Sequence, residues 1–146
     1  MASFIKAFNK LIKAEGGYVN DPDDNGGETF MGVTRKNHPN CKMWAVIDEY
    51  KKKYNSTYGI NKYLTNNDEV MEEIHNLYKT KYWDKLMLDD VRSQNIANQI
   101  FDDSVNRGVN ATVKLLSKLY GCSTKTMTIT LVQRINTGYN AYRCKK

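Results

Sequence analysis

Two glycines placed directly after a helical stretch restrict the fold of this chain more than any other feature. Phe4, Ile5, Phe8, Leu11 and Ile12 recur at the spacing of one helix face, and Gly16-Gly17 comes immediately after Glu15. Glycine takes up the left-handed conformation that ends a helix at little cost, so the spacing predicts a first helix that stops at Glu15. A carboxylate there faces the negative end of the helix dipole beside an apolar stripe. Both effects penalise its charged form and raise its pKa, toward the range a general acid needs at neutral pH.

The residues beyond Glu15 read as a second device. Asp21, Pro22, Asp23, Asp24 and Asn25 run into Gly26-Gly27, a composition that favours a tight turn or hairpin loop and can swing another carboxylate back toward Glu15. Thr29-Phe30-Met31-Gly32-Val33-Thr34 is β-rich and is expected as a short strand or extended piece. Helix end, acidic turn and extended segment would together form one wall of a cleft.

The run Glu15-Gly16-Gly17-Tyr18-Val19-Asn20-Asp21-Pro22-Asp23-Asp24-Asn25-Gly26-Gly27-Glu28-Thr29-Phe30-Met31-Gly32-Val33-Thr34 resembles the signature of the glycoside hydrolase family 108 lysozymes, N-acetylmuramidases common among phage endolysins. Tyr82-Trp83-Asp84 and Phe101-Asp102-Asp103-Ser104-Val105-Asn106-Arg107-Gly108 resemble later segments of that family, and the likeness extends to about residue 120. The resemblance implies cleavage of the β-1,4 bond between N-acetylmuramic acid and N-acetylglucosamine in peptidoglycan, with Glu15 as the catalytic acid. Other phage-type lysozymes are similar in placing a Glu, an Asp and a Thr in that order. Here those roles fall on Glu15, Asp24 and Thr29, with one residue fewer between the Asp and the Thr. Tyr18 joins them as a candidate substrate contact.

Composition sets the frame. A chain of 146 residues, 40% hydrophobic, is one domain's worth of material with enough apolar side chains for a core. A net charge of +6 favours polyanions, among them the acidic polymers of a bacterial envelope. Cys41, Cys122 and Cys144 lack metal or redox spacing and suit a reducing compartment, with a Cys122–Cys144 bridge left open. His38 and His75 stand far apart, so no metal and no cofactor are expected. A Cys-His nucleophile lacks a local signature, and Gly26-Gly27 lacks the lysine of a phosphate loop.

Further along, residues 43–54 carry Met43, Ile47, Tyr50 and Tyr54 at helical spacing and end in Lys51-Lys52-Lys53, expected as a solvated helix end. Residues 55–66 read as a loop whose Tyr58 and Tyr63, with Tyr54, suit either sugar stacking or half-buried packing. Asn66 and Glu69 resemble a capping box before a stripe of Val70, Met71, Ile74, Leu77, Tyr78 and Tyr82. A helix from Ser93 or Asn95 buries Ile96, Ala97, Ile100, Phe101, Ser104 and Val105 and stops at Gly108; Asp102 and Asn106, four apart, project from another side as candidate substrate contacts. Asn110 is expected to cap a helix bearing Val113, Leu115, Leu116 and Leu119, and a last helix carries Leu131, Val132, Ile135, Tyr139 and Tyr142.

The expected fold is mainly α, a lysozyme-like two-lobed helical domain with a small β-hairpin or extended segment after the first helix. Residues 1–146 form a single catalytic domain in this reading, with about 110–146 a shortened remnant of the family's peptidoglycan-binding region. The expected enzyme is a monomeric peptidoglycan hydrolase acting on the glycan strand of an anionic envelope, without nucleic acid or membrane insertion. The start of the chain lacks the continuous apolar core of a signal peptide, so synthesis in a host cytoplasm and release to the wall, by a holin if the source is a phage, is expected. Two alternatives stay open: a lytic transglycosylase on the same bond, and a non-catalytic basic module for wall or nucleic acid.

Overall fold

A computed structural model describes residues 1–23 and 27–138, and for Ala14 and Glu15 the main chain. Among the described residues seven α-helices and three short strands succeed one another: α1 (Phe4–Glu15), β1 (Tyr18–Asn20), β2 (Glu28–Phe30), β3 (Val33–Thr34), α2 (Met43–Tyr54), α3 (Ile60–Thr65), α4 (Asp68–Tyr78), α5 (Gln94–Arg107), α6 (Val109–Leu119) and α7 (Ile129–Thr137). A π-helical turn, Lys79–Trp83, continues α4, and a 3-10 turn, Leu88–Asp90, precedes α5. The mainly helical architecture with a small sheet after the first helix agrees with the sequence. The chain divides into two compact units, Ile12–Leu77 in one, and Met1–Leu11 with the chain from Tyr78 onward in the other.

In the unit that contains α5, the core is aromatic. Phe4 and Phe8 from α1 are buried with Tyr78, Trp83 and Phe101. The Phe4 ring lies 5.6 Å from Trp83 and 5.8 Å from Phe101, and Trp83 lies 5.7 Å from Phe101, all edge-to-face. That geometry sets the positive ring edges against the negative faces. The Trp83 indole donates to Asp89 at 2.8 Å, so its one polar atom is satisfied. Trp83 and Phe101 of the two later motifs therefore serve packing.

At three places the structure corrects the expectation from sequence. Ile5 is 49% exposed, because the buried face of α1 is Phe4, Ala7, Phe8 and Leu11. Asn110 lies inside α6, which begins directly after Gly108. Leu115 and Leu119 are exposed, since Thr112, Val113, Leu116 and Ser117 form the buried stripe of α6. Helix α5 keeps its predicted limits, with the Ser93 hydroxyl accepting from the Ile96 N–H and Gly108 at φ +93° ending it. Tyr139, Tyr142 and Cys144 lie outside the described residues.

The other unit holds the sheet, in the order β1-β2-β3 and antiparallel throughout. Thr29 to Thr34 is not one extended segment: Met31 and Gly32, at φ +49° and +79°, turn it back on itself as a two-residue loop between Phe30 and Val33. Helix α2 has the predicted limits, and its buried face is Met43, Trp44 and Ile47. Its first turn is satisfied from α4, where the two Glu73 oxygens accept the N–H groups of Lys42 and Met43 at 2.7 and 2.9 Å. Residues 55–66 are not all loop, because Ile60 and Leu64 are buried one turn apart and draw the chain into α3. The cap of α4 is Asn67, whose side chain accepts from the Val70 N–H at 3.1 Å, one residue later than the sequence suggests.

Candidate active site

The main chain around Glu15 obeys the helix-stop chemistry. Gly16 sits at φ +76° and its N–H reaches the Ile12 carbonyl at 3.2 Å, closing α1 at Glu15. Gly17 has a different task from the one its neighbour suggests. A Cβ there would meet the Asn61 side-chain oxygen at 2.4 Å, so its missing side chain makes room for α3. That same oxygen accepts the Tyr18 N–H at 2.6 Å, which fixes where β1 begins. The side chain of Glu15 and the whole of Asp24 lie outside the described residues.

Pairing then sorts the hairpin's side chains by face. Tyr18 stands opposite Phe30, Val19 opposite Thr29, Asn20 opposite Glu28, and Thr29 opposite Thr34. Successive strand residues alternate, so Tyr18, Glu28 and Phe30 share one face, while Val19, Thr29 and Thr34 share the other. Phe30 is fully buried and Val19 is 52% exposed, so Thr29 belongs to the open face.

Glu28 is a residue that motif and spacing did not single out. Its carboxylate accepts from the Tyr18 hydroxyl, from Arg35 at 2.8 Å and from Lys51 at 2.8 Å, with its side chain only 9% exposed. Arg35 continues in a two-pronged pair with Asp48, at 2.8 and 2.7 Å. Burial pushes the Glu28 carboxyl up, but hydrogen bonds from Lys51, Tyr18 and Arg35 outweigh it and hold its pKa below the ordinary glutamate value. Tyr18 moves the other way, raised by burial and then by its bond to Glu28. A carboxylate so held keeps its charge at neutral pH and is a poor proton donor there. Lys51 is accordingly an ion-pair partner and not part of a solvated helix end, and its pKa is raised by the bond to Glu28. One local signal was present: Asp48 and Lys51 stand three apart on one helix, and Glu28 and Arg35 flank a turn.

The two remaining candidates fall in the other unit. Asp102 and Asn106 are exposed on α5, where the Asn106 amide donates back to the Asp102 carbonyl oxygen at 3.0 Å. Asp102 borders a groove of about 370 Å³ between α5 and α6, which Gln99, Leu115 and Leu119 also line. The Asp103 carboxylate beside it is bonded to Arg107 at 2.8 Å.

Comparison with known proteins adds two findings. Residues 8–108 match the family model described as Glycosyl hydrolase 108, a span that takes in the hairpin, the Trp83 turn and α5. A solved structure, that of Brucella abortus SagA, is similar to this chain with a TM-score of 0.60 at 23% identity, covering 92% of this chain and 68% of that one. The likeness is one of fold, and it is lysozyme-like. Among curated protein sequences the chain has no match.

Proposed function

Because this chain belongs to the glycosyl hydrolase 108 family, we propose that it cleaves peptidoglycan by hydrolysing the β-1,4 bond between N-acetylmuramic acid and N-acetylglucosamine, with Glu15 as general acid. The observation that carries the assignment is the helix stop: Gly16 at φ +76° ends α1 at Glu15, at the mouth of the hairpin that bears Thr29. A carboxyl at the negative end of a helix dipole has its pKa moved upward, the direction a general acid needs. Support also comes from Glu28, the neighbouring glutamate, which is bound by three donors and held ionised.

In the reaction the Glu15 proton passes to the bridging oxygen as the bond from that oxygen to the muramic C1 breaks, and the departing sugar leaves with a hydroxyl. Asp24 stabilises the positive charge that develops on the ring or directs the attacking water, and Thr29 holds that water by its hydroxyl. Water supplies the oxygen at C1, and its second proton returns to a carboxylate. Tyr18, Asp102 and Asn106 are the proposed substrate contacts, and the chain acts as a monomer in this reading.

Replacement of Glu15 by Gln, with folding checked by circular dichroism, tests the assignment. Wall clearing is expected to fall by about a hundredfold or more, as for loss of a general acid. Clearing retained by the folded variant would overturn it. Mass spectrometry of wild-type digests separates the bond chemistry: reducing ends are expected, whereas 1,6-anhydro ends would make the enzyme a lytic transglycosylase.

A further inference from the structure

Helices α2 and α3 carry a second group of side chains that the hairpin chemistry does not use. Tyr50 and Tyr54 lie one turn apart on α2 with ring centroids 4.7 Å apart, and Tyr63 of α3 brings its ring to 4.9 Å from Tyr50. Tyr54 and Tyr63 are 54% and 48% exposed, an unusual amount of aromatic surface left in water at one place. Together they line a recess of about 600 Å³ whose remaining wall is polar, with Lys62, Asn66 and Asn67.

The rings are held where they are. The Tyr50 hydroxyl donates to the Tyr58 carbonyl, and Gly59, at φ +77°, lets the chain pass at a point where a Cβ would stand 3.2 Å from that hydroxyl. In the first turn of α3, the Asn61 side-chain oxygen accepts the Tyr18 N–H. A rigid aromatic surface meets a ligand with little ordering cost.

Flat rings beside side-chain amides suit a pyranose, which offers an apolar C–H face and a rim of hydroxyl and acetamido groups. Charge narrows the choice further. Lys62 lines the recess, the Lys53 ammonium lies 5.3 Å from the Tyr54 ring centre, and no acidic side chain is among the described residues that line it. A nucleic acid strand is held largely by a groove of cations that tracks its phosphates, and one lining lysine does not make such a groove. We infer that Tyr54 and Tyr63, with Lys62 and Asn66, form a second glycan-binding site that grips an acidic hexosamine strand at residues outside the catalytic hairpin. The choice of a carboxylate-bearing wall glycan rests on the proposed function.

NMR titration of the full chain tests the site. The probes are N-acetylglucosaminyl-N-acetylmuramic acid disaccharide, which lacks the scissile bond, a neutral N-acetylglucosamine oligomer, and a short single-stranded DNA. The disaccharide is expected to perturb the amides of Tyr54, Tyr63 and Asn66 and to bind more tightly than the neutral oligomer. The Tyr54→Ala, Tyr63→Ala double variant should lose about tenfold in affinity, while the corresponding Phe variant keeps most of it, because stacking needs the ring and not the hydroxyl. Perturbation confined to residues 15–34, unchanged affinity in a folded Ala variant, or displacement of the sugar by DNA would overturn the inference. The two readings fail separately: retained clearing by Glu15→Gln strikes only the hydrolase assignment, and silence at Tyr54 and Tyr63 strikes only this site.

Discussion

Glu28 gathers two cations and a phenol on one nearly buried carboxylate, and this decides how the hairpin responds to change. Removing the charge with Glu28→Gln leaves Arg35 and Lys51 with Asp48 as the remaining anion of the network. Both cations are partly exposed, at 39% and 32%, so water takes over part of the role. The expected cost is roughly 2 kcal/mol, less than for a fully buried pair, measurable by urea unfolding at neutral pH. The sign with pH comes from the lowered pKa. Glu28 contributes stability above its ordinary value of 4.5 and loses it as pH falls through the lower folded value; Asp48, held down by Arg35, behaves alike. Wild-type stability should therefore decline with acid more steeply than that of Glu28→Gln, and parallel curves would refute the network's role. Gly17→Ala is expected to destabilise by roughly 1–3 kcal/mol because its Cβ must displace Asn61. Combining it with Asn61→Ala should cost less than the two changes added together, since the second removes the clash that the first creates.

At the scale of elements, several ends are set by residues distant in sequence. Helix α2 has no capping side chain of its own, and its opening N–H groups are taken by Glu73 from α4. The negative charge also complements the positive end of the α2 dipole. Glu73→Ala should fray the first turn of α2 and lower stability by roughly 1–2 kcal/mol, with hydrogen exchange of the Lys42 and Met43 amides rising first. Local signals were enough where a cap and a stripe coincide, as at Ser93 and Gly108 around α5. They fell short at α3, where six polar-rich residues form a helix on the strength of Ile60 and Leu64 alone. They also fell short at Thr29 to Thr34, where β-rich composition concealed the reversal at Met31 and Gly32.

For the whole molecule, two properties dominate. The aromatic rings of Phe4, Trp83 and Phe101 are buried against one another in the core of their unit, so Phe101→Ala should cost about 3–5 kcal/mol in thermal or urea unfolding. The net charge of +6 should speed encounter with an anionic wall. Clearing is therefore expected to slow as salt rises from about 0.01 M to above 0.1 M, over which the screening length falls from about 30 to 10 Å. A rate independent of salt would remove the electrostatic contribution.

The sequence by itself determined the helix that stops at Glu15, the sheet-forming segment after it, the extents of α2 and α5, and the family. Each rests on periodicity, glycine chemistry or a contiguous motif, all of which are local. Only the tertiary structure decided that Glu28 anchors Arg35 and Lys51, that Gly17 makes room for Asn61, that Glu73 caps α2, and that Ile5, Leu115 and Leu119 stay in water. Those outcomes depend on which distant side chain arrives at a given atom, and a pattern of neighbours along the chain carries no record of that.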